Sequence, residues 1–119
     1  MSVKRKAKQK QKREVRNMLQ RTYGTITKSD LLWQANRVVE RFNNANFKAK
    51  RSGGVQHINR VEVVEHGTAV YFWCSRMCNF VVYGGSKRGT YEKLHELLIH
   101  ICFEENKDYI NISDFIVKR

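Results

Sequence analysis

Apolar positions recur with a helical period from Leu31 onward: Leu31, Leu32, Ala35, Val38, Val39 and Phe42 fall at i, i+1, i+4, i+7, i+8 and i+11, one continuous stripe. The helix has a start signal too. Thr27 can accept from the unpaired backbone amides of the first turn, and Asp30 sets a carboxylate against the positive helix end. Trp33 falls about 160° from the middle of the stripe, beside Arg37, Glu40 and Arg41. It either packs on what precedes the helix or anchors a partner, and packing is the preferred reading. The pattern lapses over residues 43–58, where Asn, Gly and basic side chains mix with little periodicity, so a long loop is expected.

From residue 59 the period changes to two. Runs rich in β-branched and aromatic residues at 59–65, 68–74 and 78–83 are separated by short turns at His66-Gly67 and Ser75-Arg76-Met77, which predicts a three-stranded antiparallel meander. In the middle run both alternating sets are apolar, Ala69, Tyr71 and Trp73 on one side and Val70, Phe72 and Cys74 on the other, as in a strand covered at least partly on both faces. Helices should lie on one face. Were the other open, Tyr71 or Trp73 could be a stacking platform for nucleic-acid bases, although core packing or a protein interface is the more common explanation for such residues. The segment Gly84-Gly85-Ser86-Lys87-Arg88-Gly89 then leads into a helix of about 15 residues, capped by Ser86 or Thr90 and closed by Asn106. Its expected buried stripe is Tyr91, Leu94, Leu97, Leu98, Ile101 and Cys102, with Glu92, Lys93, Glu96 and His100 outside. Residues 109–117 alternate loosely and suggest an edge strand. The predicted fold class is α+β: an antiparallel sheet of three strands, or four with that segment, packed against two helices.

A chain of 119 residues has room for one domain and an appendage. With 41% apolar residues it has enough material for one core. No apolar run approaches the roughly 18 residues of a membrane span, and the basic start is not followed by the apolar stretch of a secretory signal. A cytoplasmic chain, or a nuclear one in a eukaryote, is therefore expected, and a membrane partner is not. Three cysteines read as reduced thiols rather than a disulfide framework.

Charge changes the picture most. The net charge is +12, and most of it sits in residues 1–21, where Lys4, Arg5, Lys6, Lys8, Lys10, Lys12, Arg13, Arg16 and Arg21 face Glu14 alone. These residues divide the chain into a basic N-terminal arm, 1–21, and a single domain, 22–119. The arm is built from good helix formers with almost nothing apolar before Val15, so it should be disordered at its tip and helical further on, ordered by a polyanion that screens its repulsion. Lys48, Lys50 and Arg51, next to Gly53 and Gly54, form a second basic cluster on what reads as a flexible loop, suited to phosphates.

Catalytic and metal chemistry find less support. Cys74 and Cys78 are spaced CxxxC without a second ligand pair, and His95 and His100, five apart, point about 140° from each other on a helix, so neither meets a zinc pattern. No metal or other cofactor is expected. His57, Arg60, Glu65, His66 and Tyr71 could supply the acid, base and phosphate stabiliser of a metal-independent ribonuclease, but no motif fixes their geometry. Gly84-Gly85 with Gly89 reads as a turn, and neither a Walker loop nor a nucleophile elbow is present.

The order helix, meander, Ser86-Lys87-Arg88 turn, helix resembles the double-stranded RNA-binding domain over residues 27–105, whose last helix opens on a similar basic motif. That resemblance implies that Lys87 and Arg88 contact phosphates across the major groove, with His66 in the loop between the first two strands. The sequence as a whole points to a small non-catalytic protein that binds RNA or DNA through the phosphate backbone with little sequence specificity. The other readings are an interaction or inhibitor protein that occupies an acidic or nucleic-acid-binding surface of a larger machine such as a polymerase, ribosome or nuclease, with Trp33, Tyr71 and Trp73 as anchors, and the ribonuclease.

Overall fold

The computed structural model describes residues 25–64, 68–76 and 79–118. The basic arm therefore lies outside the described residues, as do Glu65, His66, Gly67, Met77 and Cys78. The element order is helix α1 (Lys28–Ala45), strands β1 (Ile58–Val64), β2 (Ala69–Cys74) and β3 (Phe80–Tyr83), helix α2 (Lys87–Glu104), a 3-10 turn (Ser113–Phe115) and a short strand β4 (Val117–Lys118). The strands form one antiparallel sheet in the order β1-β2-β3-β4, and the two helices pack against it and each other. This is an α+β fold.

The capping box forms as its residue types require. The Thr27 hydroxyl accepts from the Asp30 amide at 3.2 Å, and the Asp30 carboxylate accepts from the Thr27 amide at 2.8 Å, so two end amides are satisfied reciprocally. The buried stripe of α1 is Leu31, Gln34, Ala35, Val38 and Phe42. Leu32, expected inside, is 42% exposed. The stripe is rotated toward Gln34 because α2 lies on that side: the Gln34 amide meets His95 Nδ1 at 3.1 Å, and a buried polar side chain is tolerated where it finds such a partner. In α2 the buried set is Thr90, Tyr91, Leu94, Leu97, Leu98, Ile101 and Glu104. Cys102, also expected inside, is exposed, because the stripe continues from Ile101 to Glu104. Glu104 is drawn in with Lys107 on its carboxylate at 2.7 Å.

Cross-strand pairing sorts the sheet into two faces. Val63, Val70 and Val82 form one row toward the helices, and Val61, Phe72 and Phe80 the next, with the Phe72 and Phe80 rings stacked at 4.8 Å. Arg60, Glu62, Tyr71, Trp73, Val81 and Tyr83 point to the face without helices, as the period of two demands. Ala69 and Val81 on that face are nonetheless buried, in line with the doubly apolar middle strand.

Two segments differ from expectation. Residues 43–58 are not a loop without regular structure. Helix α1 extends to Ala45 and is capped by Asn46 in the left-handed conformation, and Lys48 and Val55 then pair in a small hairpin. The hairpin is closed by bonds from the Ala49 amide to Gly54 O at 2.9 Å and from the Gln56 amide to Phe47 O at 2.9 Å. Phe47 is its anchor, fully buried against Phe42 with ring centroids 5.4 Å apart. The C-terminal segment pairs only at Val117–Lys118. Residues before it turn inward instead: Ile112 and Phe115 are buried, and His100, expected outside, rests on the Phe115 ring at 5.1 Å with Nε2 2.8 Å from Asn111 O.

Candidate nucleic-acid interface

Chain direction sets where the basic residues fall. The end of α1 is tied to the start of β1, since the Asn43 amide group donates to Ile58 O at 3.0 Å and its carbonyl accepts from the Ile58 amide at 2.7 Å. Helix α2 begins just beyond Tyr83, which pairs with Ala69 at the other end of the sheet. Its far end returns to the hairpin, where the Lys48 amide donates to Asp108 O at 2.7 Å. The two helices therefore run parallel, with both first turns at one end of the molecule and both last turns at the other.

At the first-turn end stand Lys28, Lys87 and Arg88. The turn that delivers Lys87 and Arg88 is held by glycine. A Cβ at Gly84 would sit well inside van der Waals contact of the Gly89 carbonyl group, and one at Gly89 would collide with Gly84 O, so the two backbones cross at a distance only glycine permits. Gly85 adopts φ +84°. Ser86, rather than Thr90, caps the helix by accepting from the Gly89 amide at 3.0 Å. Thr90 is fully buried and laces the turn to the sheet, its hydroxyl donating to Thr68 O at 2.5 Å and accepting from the Gly84 amide at 2.9 Å. Lys87 and Arg88 thus occupy the first two positions of an 18-residue helix whose first turn holds no acidic residue.

Lys48, Lys50 and Arg51 lie at the opposite end, on the hairpin. At a rise of about 1.5 Å per residue, the 18 residues of each helix put the two basic groups roughly 27 Å apart, so the structure does not bring these predicted residues together. Lys48 pairs with Asp108 at 3.9 Å, and the Lys50 ammonium lies 6.0 Å from the Tyr109 ring centroid. Two cations that the sequence pattern does not single out join these groups: Lys28, at the same end as Lys87 and Arg88, and Arg76, whose guanidinium covers Gly54. Only the helix directions and the approach of the β2–β3 turn to the hairpin reveal them.

The aromatic candidates occupy separate surfaces. Trp33 is 51% exposed on α1, with the Arg37 guanidinium 4.9 Å from its ring; packing against the arm concerns residues outside those described. Tyr71 and Trp73 are half-buried on the sheet face away from the helices, 6.0 Å apart, and line a shallow hollow of about 180 Å³ with Asn79 and Phe80. The Trp73 ring already carries Arg60 at 4.6 Å, and Arg60 is held there by Glu62 at 3.0 Å. A base would have to displace a charged pair to stack on it.

Three candidates for acid–base chemistry fall among the described residues, with Arg60 and Tyr71 on the same face of neighbouring strands. His57 precedes β1 and lies 3.3 Å from Asn46, Arg60 is engaged as above, and Glu65 and His66 fall outside the described residues. Burial pushes the Cys74 thiol up to about 12, which makes it a poor nucleophile at neutral pH. Among the described residues no three metal-ligating side chains cluster, and no helix is long and apolar enough to cross a membrane. Compared with known proteins, the chain matches no family model, no curated protein and no solved structure.

Proposed function

We propose that this chain is a small non-catalytic protein that binds RNA or DNA through the phosphate backbone, with Lys28, Lys87 and Arg88 as the contact surface of the folded part and the basic arm adding non-specific attraction. One observation carries the reading: the first turn of α2 presents two cations and no acid where the helix end is itself positive. Cations are disfavoured there, and an anion placed against them relieves the repulsion while accepting from the free amides. A phosphodiester backbone supplies such anions at regular intervals. Contacts of this kind position a protein without reading bases, so affinity should be steeply salt-dependent and weakly sequence-specific. The element order from α1 to α2, with the basic turn opening α2, adds the likeness to double-stranded RNA-binding domains and makes duplex RNA the first ligand to try.

The decisive experiment is a gel-shift titration with single-stranded and duplex RNA and DNA at several salt concentrations, with the products run on a denaturing gel. Binding is expected to weaken linearly in log–log form with salt, and Lys87→Ala and Arg88→Ala should each reduce the slope by about 1. Absence of binding tighter than micromolar at low salt would overturn the reading. Cleaved product lost in His57→Ala would establish the ribonuclease instead. A protein-partner role is favoured by one feature, the adjacent exposure of Leu32 at 42% and Trp33 at 51% on α1, since Trp is enriched among residues that dominate protein interfaces.

A further inference from the structure

The hairpin end of the molecule carries positive charge that the Lys28, Lys87 and Arg88 surface does not use. Lys50, Arg51 and Arg76 are all exposed there, and none has an acidic partner among the described residues. They come from two different segments, the hairpin and the β2–β3 turn, brought together because the Arg76 side chain lies over Gly54, where a Cβ would meet the guanidinium at 2.9 Å. Of the nearby acids, Asp108 faces Lys48 and Glu104 faces Lys107, which leaves Glu105, exposed at the end of α2, as one carboxylate against these three cations. The hairpin is fastened by the buried Phe47 and by the Lys48–Asp108 backbone bond, so Lys50 and Arg51 are carried on backbone tied to the core.

Between this end and the Lys28, Lys87 and Arg88 end the charge balances. On the helix layer Arg37, Arg41 and Lys93 are matched by Glu40, Glu92 and Glu96, and on the sheet Arg60 is paired with Glu62. Among the described residues the surplus is therefore divided between two ends roughly 27 Å apart, more than three times the screening length of about 8 Å at physiological salt. Each end attracts a polyanion independently of the other. A nucleic acid laid along the molecule would cross a neutral middle, whereas two segments can each meet a basic end.

We propose that the hairpin end, Lys50, Arg51 and Arg76, is a second phosphate-binding surface, and that one molecule holds two nucleic-acid segments at once. This inference rests on the nucleic-acid reading above. The test is a sandwich assay with the full chain: one short duplex immobilised through biotin, a second fluorescent duplex free in solution, run once with RNA and once with DNA. Gel shifts with a single duplex are measured in parallel. The wild-type protein is expected to capture the free duplex. The variant K50E/R51E/R76E and the variant K87E/R88E should each still shift a single duplex while capture of the second falls at least about tenfold, as expected for removing several phosphate contacts from one surface. Capture that survives in either variant would overturn the proposal, because the second contact would then come from the arm or from self-association. Wild-type protein that shifts one duplex without capturing another would also overturn it and leave the nucleic-acid reading standing. Failure to shift any duplex would remove both.

Discussion

Asn43 shows how much one side chain can join. It sits in the last turn of α1 and closes a two-bond clasp on both backbone groups of Ile58, fixing where the helix layer meets the sheet. In sequence it is one of several asparagines in a stretch that reads as loop, and no periodic signal separates it from Asn44 or Asn46. Asn43→Ala leaves two part-buried backbone groups without partners and should cost about 1–3 kcal/mol, measured by urea unfolding, whereas Asn44→Ala, at an exposed position, should be nearly neutral. The pair Gln34 and His95 is a second case. Gln34 donates to His95 Nδ1, which requires the neutral ring, and burial together with the Arg37 charge lowers the His95 pKa from its ordinary 6.5. Below pH 6.5 the unfolded chain takes up the proton first, so stability present at neutral pH falls as the pH drops through and below that value. Thermal unfolding between pH 8 and pH 5 should show this loss, and His95→Leu should flatten it.

Elements that depend on local chemistry follow the sequence closely. Helix α1 starts where its capping box dictates, and the three strands of the meander lie within two residues of the runs that predicted them. The glycine-built turn before α2 is legible as a turn, but not as a crossing of two backbones, since the partner of Gly84 is five residues away and the approach exists only once β3 and α2 are both in place. Gly89→Ala and Gly84→Ala force those backbones apart and should each destabilise by about 2–4 kcal/mol, as expected for overpacking at a site that cannot relax. Gly85→Ala, with a positive φ but no neighbour within 4 Å, should cost only about 1 kcal/mol. Equal losses at Gly85 and Gly89 in chemical denaturation would contradict the crossing. The hairpin at residues 48–55 and the inward turn of Ile112 and Phe115 have no periodic signature, because each is held by groups distant in sequence: Phe47 on Phe42, Lys48 on Asp108, and His100 on Asn111 and Phe115.

For the whole molecule, charge is distributed rather than concentrated. Two thirds of the net charge belongs to residues 1–21, and the described part places its uncompensated cations at two ends. Deleting residues 2–13 removes seven Lys and Arg and should flatten the log–log salt dependence of nucleic-acid binding by several units, at roughly 0.9 for each duplex-DNA phosphate that the arm no longer neutralises; an unchanged slope would mean that the arm does not touch the ligand. The sequence by itself determined the α+β class, most positions of the helix stripes, the strand alternation, the basic character of residues 1–21 and the placement of Lys87 and Arg88 at a helix start, because each depends on residues close together in the chain. Only the tertiary structure decided that Gln34 rather than Leu32 faces the core and that Trp73 is covered by Arg60. It alone also decided that Lys50 and Arg51 join Arg76 at the end opposite Lys87. Those outcomes follow from the parallel run of two helices about 27 Å long and from side chains that meet across dozens of residues, and neither leaves a period in the sequence.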